Sequence, residues 1–244
     1  MPKIDLQMSA RWLMAGWLAA VALFGLAPTI DLDIAHLFWR PEIGFAVVGN
    51  PLWEWLRQRL WDASILLFLF AGFAMLRSVL TGRRVAGMTG TSWGFLFTLY
   101  LAVPGVIVNG WLKMHSGRAR PAEVTEFGGT HLFTPAGRFA DQCSANCSFV
   151  SGEVSAAVVL GLALWLIAAE WSRLERWQSL YLRAAGLFIP GFVALQRVVT
   201  GRHFASDTIF AALITLSLGW IFYVVFNGQA AEALQRRLSR PARE

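Results

Sequence analysis

Residues 208–226 read TIFAALITLSLGWIFYVVF, nineteen in a row without a charged side chain. At 1.5 Å of rise per residue, a helix of this length covers about 28 Å, close to the roughly 30 Å of hydrocarbon in a bilayer. The run has no alternation of apolar and polar residues, so it does not fit a strand of a membrane barrel. It predicts a spanning helix. Working outward, five further apolar stretches approach the same length, at 12–29, 63–80, 93–112, 154–171 and 184–199, the last being the shortest. The expected fold class is all-α: a polytopic membrane protein with a bundle of six transmembrane helices, forming one domain over residues 1–244.

Composition agrees. Hydrophobic residues make up 56% of the 244 residues and charged residues 15%, against about 25% charged in an ordinary soluble domain. Twelve Trp and eighteen Phe point to the membrane–water boundary, where aromatic rings collect. The net charge of +6 comes from basic residues set between apolar blocks, which reads as membrane anchoring and orientation, and no nucleic acid partner is expected. The first block runs past the length of a leader's apolar core, with no small-residue cleavage site after Pro28, and reads as a retained helix.

Orientation follows from Lys and Arg. With the amino terminus inside, twelve fall on inner segments and nine on outer ones, and the short connections 81–92 and 172–183 are both basic. Short loops carry the orienting signal, so both termini are expected in the cytoplasm. The outer connections are long. In 31–61, Asn50 followed by Pro51 starts a helix, with Trp53, Leu56 and Leu60 on one face, as in a segment lying flat on the membrane or packed on the bundle. The connection 113–150 is polar and contains both cysteines, Cys143 and Cys147, which are either a disulfide in an oxidising compartment or two thiols. The run 236–244 reads as a solvated basic tail.

Three polar clusters fall at helix ends on this outer side: KMHSGRARP at 113–121, SFVSGE at 148–153 and RVVTGRHFASD at 197–207. Ionisable groups at such positions are costly and often functional. Lys113, Arg120 and Arg197 suit a phosphate ester, whose oxygens match guanidinium forks. Ser151 and Gly152 open a helix whose unpaired N–H groups attract an anion. His203 and Asp207, four apart, share a face if helical, so that Asp207 can fix the tautomer and present the other nitrogen as a nucleophile toward phosphorus. No metal motif is visible, and neither metal nor cofactor is expected. Taken singly, each element has an ordinary structural reading: snorkelling cations, a helix cap, a hydrogen-bonded pair.

Together the clusters resemble the signature of the type 2 phosphatidic acid phosphatase superfamily: Lys, six residues, Arg-Pro; then Pro-Ser-Gly-His; then Ser-Arg, five residues, His, three residues, Asp. Lys113, Arg120 and Pro121 match the first part; Arg197, His203 and Asp207 match the third, with Gln196 in place of Ser. The motif-bearing core covers 102–226. The resemblance implies a membrane enzyme that hydrolyses a lipid phosphate through a phosphohistidine. Lys113, Arg120, Ser151, Gly152 and Arg197 would bind phosphate, His203 would attack and Asp207 would orient it. The middle motif departs from the pattern, with Glu153 where a His donates the leaving group's proton. Glu153, His115 or His131 could supply that proton, or Glu153 could stay charged and position substrate.

Members act on phosphatidic acid, phosphatidylglycerophosphate, undecaprenyl diphosphate or lipid A. In size and in its long outer loop the chain looks most like bacterial lipid A phosphatases. The expectation is therefore a phosphorylated membrane lipid as partner, lipid A first, at a periplasmic active site in a bacterial inner membrane. A lipid phosphotransferase would need the same residues. The rivals are a transporter of anionic solutes or lipids, which would place its charges near the midplane, and a scaffold without activity.

Overall fold

The structure, a computed structural model, describes residues 1–228; the basic run 236–244 lies outside the described residues. Six long helices carry the fold: α1 (Leu6–Leu26), then, after a short α2 (Ile30–His36), α3 (Pro51–Thr81), α4 (Gly90–His115), α5 (Gly152–Glu170), α6 (Arg176–Val199) and α7 (Ala205–Phe226). All six are long and apolar enough to cross a membrane. The protein is thus all-α and polytopic.

Local chemistry sets the ends of these helices. Asp5 caps α1 by accepting from the backbone N–H groups of Gln7 and Met8 at 3.0 Å. Asn50 caps α3 in the same way, with Pro51 in the first turn where a missing N–H costs nothing. The segment expected to lie flat on the membrane or to pack on the bundle is the first part of α3, which continues unbroken into the span to Thr81. Trp53 stacks on Phe192 of α6, with ring centroids 5.5 Å apart, so this part of α3 packs on the bundle. α4 also extends past its expected bounds and is wound as a π-helix from Leu101 to Leu112, around Pro104. Pro has no N–H for the usual ladder, and Asn109 Nδ2 donates to the Pro104 carbonyl at 2.6 Å.

α5 is the central helix, buried along most of its length, while α1 faces outward with Trp12 and Leu18 exposed where lipid solvates them. α5 and α6 approach closely through small residues. A Cβ on Gly161 would lie 2.3 Å from the Gly186 carbonyl oxygen, the kind of backbone contact that membrane helices use. Polar contacts between helices include Ser155 with Thr215 at 2.8 Å and Trp17 with Ser217 at 2.9 Å.

Successive helices run antiparallel, so the carboxyl ends of α1, α4 and α6 meet the amino ends of α3, α5 and α7. That end carries a cap of α2, a two-stranded ribbon pairing Trp39 with Phe45, and turns at Pro121–Glu123 and Thr125–Phe127. Phe45, Phe127 and Phe204 form a separate small core beneath the cap. At the opposite end, Tyr223 donates from its hydroxyl to the Pro2 carbonyl at 2.7 Å, so both described ends of the chain lie away from the cap.

Candidate active site

A cavity of about 490 Å³ opens under the cap. Its wall takes Lys113 from the last turn of α4, Arg120 from the loop that follows, Glu153 from the first turn of α5, Arg197 from the last turn of α6, and Arg202 and His203 from the α6–α7 turn. Residues remote in sequence meet because they sit at one end of four neighbouring helices. α3 adds Glu54 and Arg57, which sequence reasoning did not single out.

Lys113 and Arg197 are buried, with relative exposures of 8% and 7%. Lys113 Nζ donates to Asn146 Oδ1 at 3.1 Å, and Arg120 Nη2 to the Asn146 carbonyl at 2.9 Å. Arg197 Nε donates to Gln196 Oε1 at 2.5 Å, which gives the departure at position 196 a structural role. Arg197 Nη1 and Arg57 Nη1 both donate to Glu153 Oε1, each at 3.2 Å, and Arg57 Nε reaches Glu54 Oε2 at 2.7 Å. The wall is therefore a cup of guanidinium and ammonium groups held by fixed acceptors, with Glu153 shared between two arginines.

His203 forms the buried side of the cup, 4% exposed. It precedes α7 rather than sitting on it, because Gly201, with φ of +63°, turns the chain between α6 and α7. A Cβ on Gly201 would lie 2.4 Å from the Phe45 ring, so the turn also needs glycine to seat the cap. His203 Nδ1 lies 2.8 Å from the Ser148 carbonyl. A carbonyl can only accept, so Nδ1 carries the proton and Nε2 keeps its lone pair. Asp207 Oδ2 is 3.7 Å from Nδ1, beyond hydrogen-bond length. Its hold on the imidazole runs one step further: Asp207 Oδ2 accepts from Ser148 Oγ at 2.5 Å and from the Phe204 N–H at 2.9 Å. Burial pushes the His203 pKa below its ordinary value; Asp207 opposes that shift, and the Lys113 and Arg120 charges reinforce it.

Behind Asp207 lies a residue that the motif reading passed over. Arg118 is fully buried and donates to Asp207 Oδ1 at 2.6 Å, Ser206 Oγ at 2.8 Å, Asp31 Oδ2 at 2.8 Å and the Thr134 carbonyl at 2.8 Å. Its guanidinium carbon lies 4.3 Å from the centroid of the Phe204 ring. Burial raises the Asp31 pKa and Arg118 pulls it back. Only the spacing of Arg118, two before Arg120, could have hinted at this, since nothing in the sequence marks Asp31 as its partner.

Ser151 and Gly152 are buried behind the cavity wall. Ser151 caps α5, accepting from the Val154 N–H at 3.4 Å, and its own N–H donates to the Asp207 carbonyl at 3.2 Å. A Cβ on Gly152 would lie 2.5 Å from Asn109 Oδ1, so glycine here lets α5 press against the π-wound part of α4. His115 and His131 are exposed and lie outside the cavity wall; His115 stacks on Trp111 with Nδ1 2.8 Å from the Trp111 carbonyl. Cys143 and Cys147 are joined in a disulfide. Among the described residues no group of three or more potential metal ligands occurs.

A six-helix membrane protein whose helix ends enclose a cationic, phosphate-compatible cup around a buried histidine is the class that fold and site define. Within it, the chain belongs to the PAP2 superfamily, whose sequence model matches residues 92–230. It is similar to the lipid A 4'-phosphatase of Francisella tularensis subsp. novicida (strain U112), at 34% identity over 122 residues, 50% of this chain and 52% of that protein. It is likewise similar to the lipid A 4'-phosphatase of Rhizobium leguminosarum, 34% identical over 122 residues, 50% of this chain and 46% of that one. The enzyme of that name from Rhizobium etli (strain ATCC 51251 / DSM 11541 / JCM 21823 / NBRC 15573 / CFN 42) is 34% identical over 128 residues, 50% and 42% of the two chains. The chain thus spans about half the length of the curated relatives it matches. No solved structure matches it.

Proposed function

We propose that the protein is a lipid phosphatase that hydrolyses a phosphate monoester of a membrane lipid, lipid A first among candidates, at the periplasmic face of a bacterial inner membrane. The observation that carries this reading is the shared cavity: Lys113, Arg120 and Arg197 line the same hollow as a buried imidazole whose Nδ1 is engaged by a carbonyl. Its volume exceeds what a bare phosphate needs and leaves room for part of a head group. The names of the three relatives favour lipid A. The basic connections at the end opposite the cap, and a disulfide on the cap side, favour a periplasmic site with both termini cytoplasmic.

In this reading the phosphoryl oxygens sit among Lys113, Arg120 and Arg197, which stabilise the charge that spreads over them in the transition state. His203 Nε2 attacks phosphorus, the bond to the lipid oxygen breaks, and that oxygen takes one proton from water in the open cavity. Water then attacks the phosphohistidine, returning neutral imidazole and inorganic phosphate. The Arg118–Asp207–Ser148 chain holds Nδ1 and so the direction of Nε2. Glu153, shared by Arg57 and Arg197, acts as the anchor of those two cations.

Full-length protein in detergent, given lipid A, undecaprenyl diphosphate, phosphatidylglycerophosphate and phosphatidic acid with a chelator present, is expected to release phosphate from at least one of them, and His203→Ala from none. Equal release by both proteins, or none by the wild type on any of these lipids, would refute the reading.

A further inference from the structure

Two of the cup's cations depend on one residue outside the signature. Asn146 is the acceptor for both Lys113 and Arg120, through Oδ1 and through its backbone carbonyl. Its φ of +54° lies in the left-handed region, which Asn tolerates better than most residues, and it lines the cavity. It sits in the ring closed by the Cys143–Cys147 disulfide. The ring and the residues flanking it are laid along the segment carrying the cations: the Ala140 N–H donates to the Ser116 carbonyl at 3.0 Å, Cys147 to Lys113 at 2.9 Å and Ser148 to Arg118 at 2.8 Å. A Cβ on Gly117 would lie 1.5 Å from the Ala140 carbonyl oxygen, so the two segments touch backbone to backbone.

We propose that Asn146 is a positioning residue for phosphate capture and that the Cys143–Cys147 disulfide holds it in place. Lys113 and Arg120 are long side chains with like charge. Left to themselves they would spread apart into solvent and would have to be gathered again at each binding event. One neutral acceptor, fixed by a five-residue ring, keeps both tips together at the cavity wall before an anion arrives. Asn is suited to this because its amide oxygen orients an ammonium without adding the negative charge that a carboxylate would set against phosphate. The cup thereby meets part of the ordering cost of binding in advance. Opening the ring with a dithiol, which takes two electrons from the reagent and leaves two cysteine thiols, frees the turn at Asn146 and loosens both cations together.

This inference rests on the cup binding phosphate, so the test reads binding apart from turnover. Orthovanadate affinity of full-length protein in detergent is measured by calorimetry, beside KM and kcat for lipid phosphate release and the thermal unfolding midpoint. The variants are Asn146→Gly, which keeps the left-handed turn and removes Oδ1, and the pair Cys143→Ser with Cys147→Ser. Wild type treated with dithiothreitol covers the case in which the double variant does not fold. Loss of one hydrogen bond to a charged donor predicts vanadate binding about tenfold weaker in Asn146→Gly, a comparable rise in KM and a smaller fall in kcat, with the unfolding midpoint held. Reduction or the serine pair is expected to weaken vanadate binding in the same way, and Asn146→Gly to respond less to reductant than wild type. Wild-type vanadate affinity in Asn146→Gly, in a protein that does hydrolyse lipid phosphate, would overturn the assignment of Asn146 and leave the phosphatase reading standing. A midpoint that drops in step with affinity would overturn it too, since the role would then be structural. A wild type that neither binds vanadate nor releases phosphate removes both.

Discussion

Arg118→Met is the perturbation that tests the support beneath the site. Arg118 has no exposure and donates hydrogen bonds to Asp207, Asp31, Ser206 and Thr134. Methionine fills much of the volume but leaves two carboxylates facing each other without a cation. Removing one partner of a buried ion pair costs about 3–5 kcal/mol, and two stranded carboxylates place this change toward the upper end. Lys at 118 keeps a charge but cannot fork between Asp31 and Asp207, so Arg118→Lys is expected to lie between the two. Adding Asp31→Asn to Arg118→Met removes one of the stranded charges and is expected to return part of the loss, with a coupling of roughly 1–3 kcal/mol. The assays are thermal unfolding in detergent and lipid phosphate release. Release is expected to fall further than stability alone explains, because Asp207, which fixes Ser148 and through its carbonyl His203, loses the anchor on its Oδ1. Arg118→Met with wild-type unfolding and wild-type turnover would refute the reasoning, as would additivity with Asp31→Asn.

Burial holds the His203 pKa below its ordinary value, so the neutral imidazole persists to lower pH than for a solvated histidine. The acid limb of kcat/KM, which reports the unliganded enzyme, is expected below about pH 6.5. That of kcat is expected at higher pH, because bound phosphate supplies a negative charge beside the ring; limbs in the opposite order would contradict this. The linked stability has the same sign: the unfolded chain binds the extra proton between the depressed value and about 6.5, so this contribution is present above that window and is lost as pH falls through it. Glu153→Gln keeps an amide oxygen for one arginine and removes the charge shared with the other. KM is expected to rise about tenfold, the scale of one hydrogen bond to a charged group, with the alkaline limb of the pH–rate profile unmoved; a displaced alkaline limb would instead make Glu153 the source of the leaving group's proton.

The fold was legible because lipid as solvent leaves few options. Long apolar runs must be helices, and 208–226 carries that constraint in its composition alone. Helix bounds were less so: α3 begins at Pro51 rather than near residue 63, capped by Asn50, with Trp53 stacked on Phe192 of α6. The cations and the histidine were legible from spacing, since each sits a fixed distance from a helix end. The link between His203 and Asp207 was legible only in part, for the two groups come within 3.7 Å but without a direct hydrogen bond. Spacing of four implies a shared helical face, but Gly201 turns the chain ahead of α7, and the imidazole is held by a carbonyl fifty-five residues upstream. Arg118, Asp31, Arg57 and Asn146 escaped for one reason: each acquires its role from a partner that only tertiary packing supplies.

The charge of the cup bears on the departure at Glu153. Five cationic side chains, Arg57, Lys113, Arg120, Arg197 and Arg202, face two carboxylates, Glu54 and Glu153, with His203 neutral between them. That leaves an excess of three positive charges, ample for a phosphate near two negative charges. Replacing the family's histidine with a carboxylate at 153 would by itself weaken anion capture. Here Arg57 enters from α3 and shares Glu153 with Arg197, so the added negative charge is met where it arises. Arg57→Ala should therefore be more damaging in this protein than removal of a distant surface charge. It would take from Glu153 one of its two partners and leave Arg197 held by that carboxylate without the second cation that offsets its charge.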